Sequence, residues 1–244
     1  AQSGRPLTME GQFKFAHDVL AKLGPILASD RPVLLTHGNG PQVGQMLTRV
    51  EVARDDAYRV PLEVCVAETE GELGYVLQQS LYNVLVDMGK SRPVVSLLTQ
   101  VVVDEHDPAF KNPNKPIGRV MRRQEADERQ SRGITVRQDA GRGFRRVVPS
   151  PRPLEIIESD VIRSLLAAGV IVIAAGGGGV PVIRSRAHLR GVDAVVDKDL
   201  ASALLGVRLH ASEMIVVSDV PCAYRNYNTP SQTAIGRIDV ATAK

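Results

Sequence analysis

Aromatic residues are scarce in this 244-residue chain, at 4%. The basic residues gathered between Arg119 and Arg146 come with no nucleic-acid-binding motif, so a nucleic-acid partner is not expected. Cysteine is nearly absent. Cys65 and Cys222 lie far apart and make no metal or redox spacing, which suits a reducing cytosol. The longest apolar runs, such as Gly169–Ala175, are too short to cross a bilayer. The N-terminus lacks the basic-then-apolar plan of a secretory signal. A soluble, cytoplasmic protein is therefore expected. The five histidines form no metal set, and no metal site is expected from the protein's own ligands. Two nucleotide signatures are also missing. There is no G-x-x-x-x-G-K-[ST] loop, and no G-x-G-x-x-G with an acidic residue at the right distance, so a dinucleotide oxidoreductase has little support.

What is present is ordinary globular material, 43% hydrophobic and 23% charged, in a chain long enough to bury a core without disulfides. Lys and Arg number 30 against 27 Asp and Glu, so the balance is only mildly basic. Phe13, Ala16, Val19, Leu20, Leu23 and Leu27 recur at helical spacing. Val33 to Thr36 reads as a short buried strand, and Pro41 suits the first turn of a helix running to about Ala53. Val64–Met88 predicts a long helix stopped by Gly89. Val94–Leu98 and Val101–Val103 read as strands. From Asp104 to about Pro149 the chain turns rich in Arg, Asp, Pro and Gly, which predicts a small excursion from the main sheet. Helix Leu154–Ala168, strand Val170–Ala174, helix Lys198–Leu205 and strand Met214–Val217 complete the pattern. Alternation of this kind predicts an α/β fold with a mostly parallel sheet covered on both faces.

Five places carry candidate chemistry. His37-Gly38-Asn39-Gly40 sits between a strand and a helix, where glycines allow a tight turn and backbone N–H groups face an anion at the helix N-terminus. Such loops at the carboxyl ends of strands are where open α/β sheets bind ligands. The run Gly176-Gly177-Gly178-Gly179 repeats the arrangement after a second strand, and its entropic cost calls for a compensating close approach of a ligand to the main chain. Asp197-Lys198-Asp199 opens a helix. Lys198 there either stabilises a transferring phosphoryl group or is a solvated lysine behind a capping Asp. Lys115, between Pro113 and Pro116, has a stiffened mount suited to reaching into a cleft, or is a solvated loop lysine. The cluster Arg142-Gly143-Phe144-Arg145-Arg146 clamps phosphate or pairs with acidic residues of the excursion.

Several of these segments together resemble the carbamate kinases of the amino acid kinase superfamily. The resemblance begins at LTHGNGPQVG, Leu35–Gly44. It continues in the same order through VCVAETEGELGYVLQQ (Val64–Gln79), DPAFKNPNKPIG (Asp107–Gly118) and GRGFRRVVPSPRPLEIIE (Gly141–Glu158). AAGGGGVPV (Ala174–Val182) and GVDAVVDKDLASALL (Gly191–Leu205) close the series, so that nearly the whole chain is covered. The resemblance implies a three-layer αβα sandwich with a small protruding subdomain at 104–148, the body being 1–103 and 149–244, and a homodimer. It implies reversible phosphoryl transfer between ATP and carbamate, giving ADP and carbamoyl phosphate, with Mg²⁺ bridging phosphates and ATP synthesis in arginine fermentation as the direction. His37, Gly38, Asn39 and Gly40, with Gly176, Gly177, Gly178 and Gly179, would line the carbamoyl phosphate side. Lys115 would reach in from the subdomain, Lys198 would stabilise the transferring group beside the nucleotide, and Asp199 would orient lysines. Asp219 and Tyr224 would border the nucleotide.

Two departures bear on activity. The family opens with a strand and a Gly-Gly-Asn-Ala loop and continues into a Met-Gly-Pro-Lys segment, and this sequence contains neither, so it is expected to be part of a longer gene product. Pro221-Cys222 also stands where the family tends to have other residues. Two further readings stay open: a superfamily kinase acting on another small acid, and a non-catalytic relative that binds nucleotide.

Overall fold

The computed structural model describes residues 8–53, 55–139, 143–218 and 220–243. They fall into two compact units, one reaching to His210 and one starting at Ala211. In the first unit, Thr8 caps α1 (Met9–Lys22) by accepting the Gly11 N–H at 3.1 Å, and the single turn α2 (Gly24–Leu27) follows. Then come β1 (Leu34–Leu35), α3 (Gly40–Val52), the long α4 (Leu62–Asp87), β2 (Val94–Ser96) and β3 (Gln100–Val103). The polar stretch holds β4 (Lys115–Met121), α5 (Arg123–Ser131), β5 (Val136–Asp139) and β6 (Gly143–Val148). The body resumes with β7 (Pro153–Ile156), α6 (Ser159–Ala167), β8 (Ile171–Ile173), β9 (Val180–Ser185), β10 (His188–Gly191) and α7 (Lys198–Arg208). No helix among the described residues is long and apolar enough to cross a membrane.

Strands β1, β8 and β2 form a parallel sheet in that order. A second sheet runs β10-β9-β3-β7, parallel at β3–β9 and antiparallel at its two flanks. Successive strand residues face opposite sides, and β8 shows what each side meets. Ile171 packs with Leu20 of α1 and Leu81, Val84 and Leu85 of α4, whereas Val172 packs with Ile162 of α6 and Ala201 and Leu205 of α7. Helices therefore cover both faces, making three layers. The sheet is α/β as the alternation predicts.

Two sequence expectations are corrected. The helix foreseen from Leu154 begins only at Ser159, because Pro153–Ile156 is taken up as β7 against β3. The strand foreseen at Met214–Val217 is not formed: the segment is exposed, and no described strand pairs with it. Apolar β-branched sequence makes a strand only where a neighbour supplies the ladder.

The polar stretch folds as an antiparallel sheet, β4-β6-β5, with α5 packing Ala126 against Met121 and Val136. It is fastened to α3. A Cβ on Gly44 would stand 2.2 Å from the Gly118 Cα, so the two backbones touch, and only glycine fits. Ile117 and Val148 join Val43, Leu47, Leu62 and Val66 in one core. Glu51 of α3 pairs with Arg129 at 2.6 Å and Arg146 at 3.4 Å. The helix that begins at the His37–Gly40 loop thus also carries the excursion. The unit from Ala211 holds the hairpin β11 (Tyr224–Arg225) and β12 (Thr233–Ala234), and the short α8 (Val240–Ala243).

Candidate active site

Residues 36–39 connect β1 to α3, and Pro41 starts the helix where a missing N–H costs nothing. Asn39 is almost fully buried, its Nδ2 donating to Thr69 Oγ1 at 3.0 Å, and Thr69 in turn donates to carbonyls of α4. This anchors the loop to α4 and leaves Gly38 and Gly40 at the surface. The N–H groups of Gly38, Asn39 and Gly40 have no acceptor among the described residues. With the N-terminal end of a 13-residue helix behind them, they form an open anion-facing turn.

The second glycine loop differs from what the sequence suggested. Ala175 (φ 52°), Gly177 (66°), Gly178 (99°) and Gly179 (80°) occupy left-handed or other positive-φ conformations. Its N–H groups, however, are all committed within the protein. Ala175 donates to Thr99 Oγ1 at 2.9 Å, Gly176 to Glu70 Oε1 at 3.0 Å and Gly177 to the His37 carbonyl at 2.6 Å. Gly178 and Gly179 donate to the carbonyls of Ala175 and Gly176. The glycines here permit contact. A Cβ on Gly177 would lie 2.2 Å from the Asn39 side chain, and one on Gly176 would lie 2.3 Å from His37 Nε2. The two loops are pressed together, the buried one supporting the open one.

The head of α7 closes the site. Asp197 caps the helix, its Oδ1 accepting the N–H groups of Asp199 at 2.9 Å and Leu200 at 3.4 Å. Its other oxygen takes Lys115 Nζ at 2.5 Å, so the excursion's lysine is drawn to the same helix end. Partial burial works against the charged Asp197, but the Lys115 hydrogen bond and charge, with the two N–H groups, outweigh it and hold the carboxyl below its ordinary value. Lys198 pairs with Asp199 at 2.6 Å, and its stem runs beside Gly38, where a Cβ would meet Lys198 Cδ at 3.2 Å. Ser202 Oγ donates to Thr36 Oγ1 at 2.8 Å, tying α7 to the end of β1. The two lysines therefore have separate carboxylate partners, Asp197 and Asp199.

Two titratable groups lie beneath this surface. Burial pushes the His37 imidazole down to about 4, against the Gly38 carbonyl that favours its charged form, so the ring is neutral at physiological pH. Glu70 of α4 is 2% exposed. Burial pushes its carboxyl up to about 8, against the N–H groups of Thr99 and Gly176.

His37, Gly38, Asn39, Gly40, Gly176–Gly179, Lys115, Lys198 and Asp199 thus all come together in the unit ending at His210. Tyr224 belongs to the other unit, in β11, with its ring 5.9 Å from that of Tyr227. Asp219 and Arg142 lie outside the described residues. Arg145 pairs with Asp139 within the excursion, and Arg146 with Glu51 on α3, so both arginines meet carboxylates. Sequence reasoning missed Asp197 as the partner of Lys115, and it missed Glu70. The signal for Glu70 was present: with Val66 and Gly74 it falls on one helical stripe, and that stripe is the buried one.

An open N–H turn, a helix N-terminus and two lysines held by carboxylates form an arrangement whose chemistry can attract an anion. The sequence profile of the amino acid kinase family matches residues 4–244. This chain belongs to the amino acid kinase family. Among its relatives, a carbamate kinase-like protein of Escherichia coli is 42% identical over 239 residues, spanning 97% of this chain and 77% of the relative. Carbamate kinase 2 of Enterococcus faecalis is 41% identical over 239 residues, with the same coverage of 97% and 77%. The solved carbamate kinase of Giardia lamblia bound to AMP-PNP superposes with a TM-score of 0.87 at 38% identity, covering 96% of this chain and 75% of that one. The three-layer α/β architecture is thus that of this family.

Proposed function

We propose that this chain is a carbamate kinase, transferring a phosphoryl group between ATP and carbamate. The observation that carries the reading is the meeting of Lys115 and Lys198, from two different parts of the fold, at the head of α7 beside the open His37–Gly40 turn. Phosphoryl transfer needs little covalent help from the protein; positioning and stabilisation of spread negative charge suffice. Here Gly38, Asn39 and Gly40 offer N–H groups to the phosphoryl oxygens. Lys198 offsets their charge, Lys115 does so from the excursion, and Asp199 aims Lys198. The neutral His37 and the Gly176–Gly179 run shape the wall behind the turn. The carboxylates nearest the lysines are engaged by them, and so do not form a cage for a free divalent ion. Mg²⁺ would arrive on ATP or ADP, bridging phosphate oxygens. Asp219 and Tyr224 would border the nucleotide. On the same resemblance the enzyme works in the cytoplasm as a homodimer and makes ATP from carbamoyl phosphate in arginine fermentation.

The test supplies the full-length protein with carbamoyl phosphate and Mg·ADP and measures ATP. Folded enzyme giving no more ATP than a blank rejects carbamate as acceptor, and a panel of other small acyl phosphates then identifies the acceptor. Lys198→Ala is expected to lower kcat on the order of a hundredfold or more, the usual cost of removing a group that stabilises transition-state charge. Unchanged kcat in that variant rejects its role.

A further inference from the structure

Glu70 is the one buried carboxyl among the described residues, and the reading above leaves it without a task. It sits on α4 directly under the loop pair. Its Oε1 accepts the Gly176 N–H at 3.0 Å, and a Cβ on Gly176 would lie 2.9 Å from Glu70 Cγ and 2.3 Å from His37 Nε2. Its second oxygen, Oε2, is fully buried and has no hydrogen-bond partner. Thr99 lies beside the carboxyl, and its N–H and hydroxyl, like the Gly176 N–H, favour the charged form, but burial outweighs them. A carboxylate in this place would keep one oxygen bare in a dry interior, which costs far more than burying a neutral acid.

We propose that Glu70 is a positioning residue that works as a neutral carboxylic acid, its carbonyl oxygen holding Gly176 and thereby the wall on which the His37–Gly40 turn rests. Ionisation would put an unpaired negative charge beneath the site where phosphate oxygens bind, and would weaken both the wall and the binding of anions. Burial, the largest influence, and the charge of Glu158 favour the neutral form, against the N–H groups of Gly176 and Thr99 and the Thr99 hydroxyl. His37, from the β1–α3 turn, is itself neutral. Glu158, before α6, is a carboxylate bound to the Gln100 N–H at 2.8 Å, and its charge opposes a second one nearby. At the head of α7, Lys198 and Asp199 neutralise each other, as do Lys115 and Asp197. On its own helix, Glu63, Glu68 and Glu72 add only like charge.

The sign of the pH effect follows from the raised value, about 8. The stabilisation from the neutral acid is complete below the ordinary carboxyl range and is lost as pH rises through about 8. The inference rests on the phosphoryl-transfer reading for its kinetic part only, and the test is built accordingly. The kcat/KM of the full-length enzyme for carbamoyl phosphate should fall on an alkaline limb near pH 8. Glu70→Gln keeps the carbonyl acceptor and cannot ionise, so it should retain most of the neutral-pH activity and lose that limb. Glu70→Ala should lower kcat/KM at every pH, on the order of tenfold to a hundredfold. An unchanged limb in Glu70→Gln, or a loss as deep as in Glu70→Ala, overturns the proposal. Difference infrared spectroscopy of the wild type, which needs neither turnover nor a variant, should show a protonated carboxyl at neutral pH that disappears as pH passes about 8. Its absence at neutral pH overturns the proposal even if the enzyme is active. Its presence in an enzyme inactive on carbamoyl phosphate would reject the acceptor and leave the role of Glu70 standing.

Discussion

The two glycine-bearing loops follow parallel strands, β1 and β8, and touch each other, yet their glycines do opposite jobs. In Ala175–Gly179 every N–H is donated inward, and side chains of residues before α3 fill the room a Cβ would need at Gly176 and Gly177. In His37–Gly40 the N–H groups of the last three residues have no acceptor among the described residues, and a Cβ at Gly40 would meet nothing within 4 Å. One loop uses glycine to let chain segments approach; the other leaves backbone donors free for a ligand. Glycine richness marks close approach, whereas an anion cradle needs donors that the fold has not already used. The pair makes one device, a rigid wall and an open turn resting on it.

The strongest way to break the comparison is Gly177→Ala. Its φ of 66° is costly for any residue with a side chain, and its methyl would stand 2.2 Å from Asn39, whose amide is held by Thr69. Positive-φ strain and local overpacking together are expected to cost about 2–4 kcal/mol. Urea unfolding measures this directly. A loss under about 0.5 kcal/mol, the range of a neutral surface change, would mean that the loops are not pressed together as described.

The next effect lies at the head of α7, where the His37–Gly40 turn meets Lys198. Asp197→Ala removes the helix cap, worth about 1 kcal/mol, and the pair with Lys115. That pair is about one-third exposed on each side, so its share is at most about 1 kcal/mol and shrinks with added salt. Stability should fall by about 1–2 kcal/mol in sum, with only the ionic part salt-dependent. If the whole loss vanished in high salt, the capping role would be wrong.

These particular residues also mark where the sequence was legible. The strand–turn–helix at Val33–Pro41, the long helix now seen as α4 and the alternation that makes three layers are local signals of period and punctuation, and they carried through. So did the motif order that marks the family. Three things could not be read locally. The donors of Ala175–Gly177 end on Thr99, Glu70 and His37, acceptors 76 and 106 positions away in the first two cases. The pairing of Lys115 with Asp197 depends on an excursion folding back over 82 positions. Met214–Val217 has strand composition, but a strand also needs a partner, and that is a property of the fold. Glu70 was different: its place on the buried stripe of α4 was readable, and a carboxyl on such a stripe asks for a reason.

The smallest effect on stability tests the open loop. Gly40→Ala puts a methyl where no atom lies within 4 Å, at the first position of α3, with no positive φ to strain. Alanine restricts the unfolded chain more than glycine and favours the helix, so stability should be unchanged or rise by up to about 1 kcal/mol. The same methyl stands at the mouth of the turn, where phosphate oxygens must approach the N–H groups closely. The KM for carbamoyl phosphate should therefore rise while the unfolding midpoint does not fall. Gly177→Ala acts on folding and Gly40→Ala on binding, so the two variants separate the wall from the cradle. Were Gly40→Ala to destabilise as Gly177→Ala does, both loops would be packing elements, and the site's free donors would have to lie elsewhere. Were it to change neither stability nor KM, the N–H groups of this turn would not be what holds the phosphate.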